Sequence, residues 1–373
     1  MKYYIVAGEA SGDLHASNLI KELKLLDTNA TFRCWGGDLM QQQGATIVKH
    51  YKDLAFMGFV EVLANLKTIL SNLKFCKKDI LEYKPDVLIL VDYPGFNLRI
   101  AEFAKKNGIK VFYYISPTVW AWHESRVNTI KKYVDKMFVI LPFEQEFYAK
   151  HNYKVDFGGH PLTDVINDWS SEKINNETWR KENGLNDKPI IAILPGSRKQ
   201  EISRMLPIML QAALSFKDHQ LIIAGASSIS LDYYLKYLSG KHVKILFNQT
   251  YQILKQSDAA IVKSGTSTLE AALLETPEVV CYKTSTISYS IAKKLTSVKY
   301  ISLVNLIMDK EVVKELIQGE MTVENIQKEL TELLSNPKRR SILLDDYHQL
   351  KTKLGESGAS KKIAGMMWGY LNQ

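Results

Sequence analysis

One local pattern occurs twice in this chain: an apolar strand that runs into a Gly- and Ser-rich turn and then into a helix. The first copy joins residues 3–7 to the turn 8–13, and the second joins residues 190–194 to the turn 195–198. Such a turn places backbone N–H groups and the positive end of a helix dipole beside a bound anion, which is usually a phosphate. Because the pattern occurs in both halves, we predict two nucleotide-type domains that face a shared cleft.

Length and charge narrow the class of protein. A chain of 373 residues is longer than a single hydrophobic core usually supports, so two domains are the default expectation. The formal net charge of +8 favours anionic partners such as nucleotides, phosphorylated lipids or an anionic membrane. The positive excess is spread over many Lys residues, as on an ordinary solvated surface, and the sequence contains no nucleic-acid-binding motif. We therefore predict no nucleic-acid partner.

The cysteines and the apolar runs indicate the compartment. Cys34, Cys76 and Cys281 lie far apart and form no Cys-x-x-Cys pair, which argues against a disulfide framework or a zinc knuckle. The first strand starts without a signal-peptide apolar region, and eighteen consecutive apolar residues occur nowhere. The sequence also contains no Asp-x-Asp and no His-x-x-x-His pair. We expect a cytoplasmic protein that spans no membrane and holds no metal.

Short apolar runs alternate with helical patterns along the whole chain. Their apolarity is continuous, which is typical of strands that are buried on both faces of a parallel sheet. This alternation, present in both halves, predicts two Rossmann-like, doubly wound α/β domains. The runs are residues 86–91, 110–115 and 136–141 in the first half, and 189–194, 220–224, 243–247, 259–262 and 279–282 in the second.

The polar, Asn-rich segment 163–185 predicts the domain boundary, because it precedes the second copy of the strand-turn-helix pattern. After about Met308 the pattern is almost wholly helical. We predict an N-terminal domain at 1–165, a second domain at 186–345, and C-terminal helices at 346–373 that could cross back onto the first domain. The predicted helices after Met308 are residues 311–317, 323–335, 341–354 and 361–371.

A block of hydroxyl, glycine and charged residues follows the strand 259–262 and opens a helix. Its backbone N–H groups and hydroxyls suit a diphosphate, and the carboxylate one turn further suits ribose hydroxyls. Arg198, in the turn after the strand 190–194, offers a guanidinium fork for a phosphate. The alternative for the block is a helix N-cap with an exposed carboxylate. The residues of the block are Lys263, Ser264, Gly265, Thr266, Ser267 and Glu270.

The candidate general base lies in the first half. Asp92 directly follows an apolar strand, and in open α/β sheets the carboxyl ends of the strands border the ligand crevice. A carboxylate there can take a proton from a hydroxyl nucleophile if its pKa is raised toward neutrality. The alternative for Asp92 is a helix cap or a turn, and Glu9 and Asp13 are rival acids in the neighbouring turn. Further candidates on the acceptor side are Gly8, Ser11, Gly12 and Asn97.

Two other stretches are unusual in their apolar side chains. Trp120 and Trp122 follow a strand end and could form a wall of a sugar or acyl pocket, although ordinary packing accounts for at least one of them. Residues 54–73 carry an apolar stripe that is wider than a core face and is followed by lysines. Such a helix suits an anionic membrane surface or acyl chains, with a buried core helix as the alternative. The acyl or membrane candidates are Phe56, Met57, Phe59, Val60, Leu63 and Leu66.

These motifs together resemble the lipid-A-disaccharide synthase family, which are inverting glycosyltransferases of the GT-B type. The most specific is Ser-Pro-x-Val-Trp-Ala-Trp at 116–122 followed by Leu-Pro-Phe-Glu at 141–144. The resemblance covers nearly the whole chain, and His123 and Lys263 are departures from the expected pattern. The other matching segments, in the same order, are 7–13, 57–63, 84–87, 92–97, 159–161, 194–198, 264–270 and 300–306.

The resemblance implies an enzyme of bacterial lipopolysaccharide synthesis. It would join UDP-2,3-diacylglucosamine to 2,3-diacylglucosamine 1-phosphate, without a cofactor, at the surface of the inner membrane. Carried over by motif, Asp92 is the base on the acceptor 6-hydroxyl, Arg198 the diphosphate ligand, and Glu270 the ribose ligand. Asn305, within the segment 300–306, is a further donor-site candidate, and a homodimer is left open. A UDP-sugar epimerase and a non-catalytic nucleotide-binding module are the alternatives from other classes.

Overall fold

The computed structural model describes residues 1–54, 66–171, 175–238, 240, 243–286, 289, 290, 293, 296 and 298–373. They form two compact units. The N-terminal unit consists of Met1–Asp164 and Leu354–Gln373, and the C-terminal unit of Val165–Lys353. Within these described residues, each unit contains one parallel β-sheet with helices in the connections between its strands. The fold is therefore the predicted pair of Rossmann-like domains.

The sheet of the N-terminal unit has the strand order β3-β2-β1-β4-β5-β6-β7. Its strands are β1 (Lys2–Ala7), β2 (Thr31–Gly36), β3 (Thr46–His50), β4 (Val87–Val91), β5 (Lys110–Tyr114), β6 (Lys136–Val139) and β7 (Asp156–Phe157). The helices of this unit before residue 160 are α1 (Ala10–Leu26), α2 (Asp38–Gln42), α3 (Leu66–Tyr83), α4 (Pro94–Lys106), α5 (Val119–Trp122), α6 (Arg126–Tyr133) and α7 (Phe143–Lys150).

The sheet of the C-terminal unit has the strand order β10-β9-β8-β11-β12-β13. Its strands are β8 (Ile190–Leu194), β9 (Gln220–Gly225), β10 (Lys244–Phe247), β11 (Ala259–Lys263), β12 (Glu278–Tyr282) and β13 (Lys314–Ile317). The remaining helices, in chain order, are α8 (Leu162–Ser171), α9 (Asn176–Glu182), α10 (Lys199–Ala213), α11 (Leu231–Leu238), α12 (Thr250–Lys255), α13 (Thr266–Leu273), α14 (Leu303–Met308), α15 (Val323–Ser335), α16 (Pro337–Leu354) and α17 (Ala359–Leu371). Short 3-10 helices occupy Tyr51–Asp53 and Gln318–Glu320.

Both faces of each sheet are buried, which explains the continuous apolar runs of the sequence. In β1, Tyr3 and Ile5 belong to the core on one face of the sheet, whereas Tyr4 and Val6 belong to the core on the other face. Successive side chains of a strand point to opposite faces, so a strand with helices on both sides needs an apolar residue at every position.

The last helix belongs to the N-terminal unit. Ile363 and Met367 of α17 lie in the same core as Leu19 and Leu23 of α1. The contact is close at Gly158, where a Cβ atom would lie 2.7 Å from Cδ1 of Ile363. The apolar face of this terminal helix is therefore covered by the first sheet and by α1.

One segment differs from the sequence-based expectations. Residues 311–317 were expected to be helical, but Lys314–Ile317 form β13, which pairs in parallel with β12. The helix prediction is wrong here, because an apolar pattern over seven residues fits a short buried strand as well as two turns of helix. The boundary between the units falls after Asp164, inside the segment 163–185 where the sequence placed it, and this segment also holds α8 and α9. Among the described helices, none is both long and apolar enough to cross a membrane.

Candidate active site

The candidate base lies at the point where the strand order of the N-terminal sheet reverses. β2 and β3 lie on one side of β1, whereas β4 to β7 lie on the other, so the topological switch point falls between β1 and β4. The register pairs Ala7 with Val91, and the turns that follow these two residues therefore leave the sheet side by side. In open α/β sheets, ligands bind at this edge.

Asp92 has an uncommon backbone conformation that its surroundings hold in place. Its φ is 44° and that of Tyr93 is 49°, so two consecutive residues other than glycine are left-handed. The Asp92 carbonyl accepts hydrogen bonds from the Tyr113 hydroxyl at 2.5 Å and from Nδ2 of Asn97 at 2.8 Å. Left-handed residues cost about 1–3 kcal/mol each and are often found at active sites. The fold thus holds this turn in a strained conformation.

The Asp92 carboxyl is half-buried, and its pKa is raised to about 6. Burial is the main cause, because it disfavours the charged form, and the negative charge of Glu9 adds to it. A hydrogen bond from the Tyr93 backbone N–H acts in the opposite direction. The environment therefore brings this carboxyl close to the pKa that a general base needs at neutral pH.

The glycine at the end of the first strand makes room for the turn at Asp92. A Cβ atom on Gly8 would lie 2.4 Å from the ring of Tyr93, a distance that no side chain could accept. The next glycine, Gly12, is also confined, because its Cβ would lie 3.2 Å from the Cβ of Ala7. The glycines of this turn are therefore needed for close packing against the Asp92 turn and against β1, whether or not a ligand binds there.

The two rival acids have different surroundings. Asp13 is buried, and its carboxylate accepts backbone hydrogen bonds from Gly37, Leu39 and Met40 at the start of α2. These three bonds tie the Asp13 carboxylate to the backbone at the start of α2. Glu9 is half-buried at the N-cap position of α1, close enough to raise the pKa of Asp92, and Ser11 is exposed in the first turn of that helix.

Asn97 connects the two strand ends of this edge. Its Nδ2 group donates to the carbonyls of Val6, Val91 and Asp92 at 2.8 to 3.3 Å. Its Oδ1 atom is buried and has no partner among the described residues. The Asn97 side chain thus links the ends of β1 and β4 and stabilises the Asp92 turn. The sequence did not indicate this role.

The two tryptophans after β5 have different environments. Trp120 packs edge-on against Phe143, with ring centroids 4.9 Å apart. Trp122 is nearly half exposed, with His123 against its ring and the Arg126 guanidinium 5.4 Å from its centroid. Nearby, burial raises the pKa of the Glu144 carboxyl to about 8. Trp120 is a packing residue in this structure, and Trp122 is a surface residue.

The C-terminal unit has an equivalent switch point. β9 and β10 lie on one side of β8, whereas β11 to β13 lie on the other, so the sheet edge between β8 and β11 is the expected ligand site. The turn 195–198 follows β8, and Lys263 ends β11. The structure therefore brings together the two segments that the sequence assigned to a diphosphate.

One carboxylate lies between these two segments. Glu201 accepts a hydrogen bond from the Ser197 N–H at 3.2 Å and forms ion pairs with Lys263 at 3.0 Å and with Arg198 at 3.7 Å. Gly196 has a φ of 104°, and a Cβ there would lie 2.5 Å from Oε2 of Glu201. Glu201 was missed as a site residue, although it lies in the first turn of α10, three residues after the N-cap residue Arg198.

The start of α13 completes the edge of the C-terminal sheet. Ser264 is buried, and its hydroxyl donates to the Ile301 carbonyl at 2.9 Å. Gly265 precedes the helix, whose first residues are Thr266 and Ser267. The first four N–H groups of a helix have no acceptor within the helix, so this terminus offers donors to an anion.

Glu270 lies one turn into α13 and is half-buried. The Tyr251 hydroxyl is 3.4 Å from Oε1 of Glu270, and burial raises the pKa of this carboxyl above its usual range. Hydrogen bonds from Ser267 and Tyr251 oppose that rise. Glu270 is therefore held by its neighbours and is not the solvent-exposed carboxylate of the N-cap alternative. No sequence pattern indicated the contact with Tyr251.

Asn305 is fully buried, and every hydrogen-bonding position of its amide is used inside the unit. Nδ2 donates to the Val313 carbonyl and to Glu315, while Oδ1 accepts from the N–H groups of Val312 and Val313. This side chain holds the segment before β13 in place. Its placement leaves no amide atom for a nucleotide.

Part of the sequence-based site lies beyond what the structure covers. The acyl or membrane candidates Phe56, Met57, Phe59, Val60 and Leu63 fall outside the described residues, as does the side chain of Leu66. In the described residues, no group of three or more His, Cys, Asp or Glu side chains could hold a metal ion.

Solved structures share this fold over their whole length. A UDP-GlcNAc 2-epimerase from Neisseria meningitidis, bound to UDP-GlcNAc, superimposes with a TM-score of 0.72 at 15% identity, covering 99% of this chain and 100% of that one. The glycotransferase of kitacinnamycin gives a TM-score of 0.67 at 13% identity, with 99% of each chain covered. At this level of identity, the likeness shows the GT-B fold alone.

The sequence comparisons are more specific. The family model described as lipid-A-disaccharide synthetase matches residues 3–366. A lipid-A-disaccharide synthase from Syntrophus aciditrophicus is 42% identical over 97% of this chain and 96% of its own length, and one from Trichlorobacter lovleyi is 38% identical over 99% and 97%. A Coxiella burnetii relative of the same name is 37% identical, with 96% of each chain covered. The chain therefore belongs to the lipid-A-disaccharide synthetase family and is a glycosyltransferase.

Proposed function

We propose that this chain transfers 2,3-diacylglucosamine from UDP-2,3-diacylglucosamine to the 6-hydroxyl of 2,3-diacylglucosamine 1-phosphate. The products are UDP and the β-1′,6-linked disaccharide 1-phosphate of lipid A. Membership of the lipid-A-disaccharide synthetase family supports the reaction class. A UDP-sugar donor is also supported by the epimerase of the same fold whose structure contains UDP-GlcNAc.

Asp92 is the observation that carries the chemical part of the proposal. Its carboxylate, with a pKa of about 6, accepts the proton of the acceptor 6-hydroxyl while that oxygen attacks the anomeric carbon of the donor. Attack on the face opposite the UDP oxygen breaks the bond to UDP and inverts the configuration. Glu9 remains the alternative base, whereas the Asp13 carboxylate is buried and occupied by three backbone N–H groups.

The C-terminal unit meets the charge of the leaving group. As the bond to UDP breaks, negative charge develops on the diphosphate, and Lys263, Arg198 and the first N–H groups of α13 stabilise it. Ser264, Gly265, Thr266 and Ser267 supply the backbone of that terminus. Glu270 binds the ribose hydroxyls, which fixes the nucleotide in one orientation.

Acyl binding and attachment to the inner membrane surface complete the proposal. Both proposed substrates carry acyl chains, and the sequence of residues 54–73 has the wide apolar stripe, followed by lysines, that suits such a contact. A homodimer stays a prediction.

The test is mass spectrometry of the products formed by the purified chain from both diacyl substrates. We expect a tetraacyl disaccharide phosphate and UDP. Asp92→Asn should lower the turnover rate by about 10²- to 10⁴-fold and leave UDP affinity unchanged, because it removes a general base. Glu102→Gln, at a half-exposed carboxylate on α4 that pairs with Lys106, is the matched control. A changed UDP-sugar in the absence of acceptor would indicate an epimerase and contradict the proposal.

A further inference from the structure

The groups that the proposed function assigns to the donor diphosphate already contact one anion in this structure. Glu201 Oε1 lies 3.0 Å from Nζ of Lys263 and 3.7 Å from Nη1 of Arg198, and Oε2 accepts from the Ser197 N–H at 3.2 Å. An ammonium, a guanidinium and a backbone N–H at a helix start are the donors that phosphate prefers in proteins. The Glu201 carboxylate therefore occupies the position that the proposed function gives to a phosphate of the donor.

The carboxylate lies inside the turn and not merely at its rim. At Gly196, a Cβ atom would lie 2.5 Å from Oε2 and 3.1 Å from Cβ of Glu201, so only glycine admits this side chain. The Glu201 and Lys263 side chains are 17% and 21% exposed. In such a sheltered pair, the charges interact more strongly than on an open surface.

We propose that Glu201 is an internal anion of the donor site: it holds Lys263, Arg198 and the turn in place in the ligand-free enzyme, and it exchanges with the donor diphosphate. This inference rests on the proposed function of these groups. A phosphate at these groups competes with Glu201 for the single Ser197 N–H, and like charges in one site repel each other. The Glu201 side chain therefore moves away from Lys263 when the diphosphate enters.

The exchange has two consequences for the reaction. The cations are already ordered before the donor arrives, which reduces the entropy cost of binding. Competition by Glu201 weakens the binding of every diphosphate in this site, including that of the product UDP. Product release is thereby made easier, at the cost of some donor affinity.

The sign of one measurement separates this role from simple positioning. If Glu201 only positioned the cations, removing its charge would weaken nucleotide binding, because Lys263 and Arg198 would lose their order. If Glu201 is exchanged, removing its charge strengthens the binding of phosphates and leaves that of the uncharged nucleoside alone.

The experiment is calorimetric titration of the full chain with UDP, inorganic pyrophosphate and uridine at one ionic strength. For Glu201→Gln we expect the dissociation constants of UDP and pyrophosphate to fall by about three- to tenfold, and that of uridine to stay unchanged. Glu201→Ala should behave in the same way if the Gln variant fails to fold. Glu201→Asp keeps the charge and should show no tightening.

Glu324→Gln is the matched control, because Glu324 is an exposed first-turn carboxylate of another helix in the same unit, α15. An unchanged or weaker UDP affinity in Glu201→Gln overturns the inference, as does equal tightening of UDP and uridine. Arg198→Ala and Lys263→Ala report on the proposed function separately. If both bind UDP as the wild type does, the diphosphate site itself is wrong; if both weaken it, only the role of Glu201 is at issue.

Discussion

At Asp92, both the backbone and the side chain depart from their ordinary preferences. The sequence predicted its place at the end of an apolar strand, because a strand pattern followed by a turn is visible locally. It could not predict the left-handed backbone or the raised pKa, since these depend on burial and on Tyr113 and Glu9, which other segments of the chain supply. The local sequence therefore locates Asp92, but its pKa follows only from the folded structure.

Glu9 sets part of the pKa of Asp92, and this predicts a shift in the pH profile. Glu9→Gln removes a negative charge near Asp92, so the pKa of Asp92 should fall below about 6. A base must be ionised to act, so the acidic limb of the kcat/KM profile should move to lower pH. Glu102→Gln should not move it. Loss of activity at every pH in Glu9→Gln, with activity retained in Asp92→Asn, would make Glu9 the base.

Glu270 is expected to recognise the ribose. Glu270→Gln should weaken UDP binding about tenfold or more, since a hydrogen bond to a charged group is worth about 1.5–3 kcal/mol. 2′-Deoxy-UDP should bind the wild type more weakly than UDP does, by a similar factor. Glu270→Gln should bind the two nucleotides almost equally, which is the coupling expected of groups in contact. Glu275→Gln, at an exposed carboxylate near the end of α13, is the control. If the Glu270→Gln substitution and the loss of the 2′-hydroxyl weaken binding independently, Glu270 does not contact the ribose.

Asp13 and Asn305 show where local patterns mislead about single residues. Both are polar residues within segments that match the family motifs, near the starts of α1 and α14, and their side chains bond to backbone groups of later segments. These segments are residues 37–40 for Asp13 and 312–313 for Asn305. Each side chain holds the backbone of that later segment in place. Their hydrogen-bond partners follow from tertiary structure, which the sequence pattern does not contain.

At the scale of elements, the strands that are continuous apolar runs could be predicted, whereas β2, β3, β7 and β13 could not. β1, β4, β8 and β11 are continuous apolar runs, because helices cover them on both faces. β3 is an edge strand with half-exposed Lys49 and His50, and β7 has two residues, so neither produces a strong signal. β13 resembled a helix because Val312 and Val313 are buried just before it and Leu316 is buried within it.

The start of β12 contains a buried acid that should make the C-terminal unit sensitive to pH. Neither carboxyl oxygen of Glu278 has a hydrogen-bond partner within the described residues, and burial raises its pKa well above the usual value of 4.5. A raised carboxyl pKa contributes stability below the unfolded value, and that stability is lost as pH rises through the folded pKa. Glu278→Gln removes this dependence.

Urea unfolding of the wild type and Glu278→Gln at several pH values from 4 to 8 tests this effect. The wild type should become progressively less stable than the variant as pH rises above about 4.5. Glu324→Gln, at an exposed position of α15, should follow the wild type at every pH. A constant difference between wild type and Glu278→Gln would mean that Glu278 is ionised in the folded chain.

For the whole molecule, both units are built on a parallel sheet, but the N-terminal unit consists of two segments of the chain and the C-terminal unit of one. Each places its candidate groups at the switch point of a parallel sheet, as the repeated strand-turn-helix pattern predicted. The N-terminal unit also takes in the last twenty residues of the chain, Leu354–Gln373. The amphipathic pattern of the terminal helix showed that it needs an apolar partner, but only the structure shows that the partner is α1.

The terminal helix is fixed at its start by Asp164, and this predicts a local and measurable effect. The Asp164 carboxylate accepts the N–H groups of Gly358, Ala359 and Ser360, which are otherwise orphan donors at the start of α17. Asp164→Ala leaves these N–H groups without an acceptor in a buried position, so the free energy of unfolding should fall by about 1–3 kcal/mol or more. Hydrogen exchange should become faster in α17 and stay unchanged in α10.

Asn175 provides the matched control for that variant, because its side chain caps the exposed start of α9 through Glu177 and Thr178. Removing an exposed cap costs typically about 1 kcal/mol, since water can replace the lost acceptor. Asp164→Ala should therefore cost more than Asn175→Ala, and Asp164→Asn, which keeps one acceptor oxygen, should fall between them. If Asp164→Ala costs no more than the control and exchange in α17 is unaltered, the apolar contact with α1 alone holds the terminal helix in the N-terminal unit.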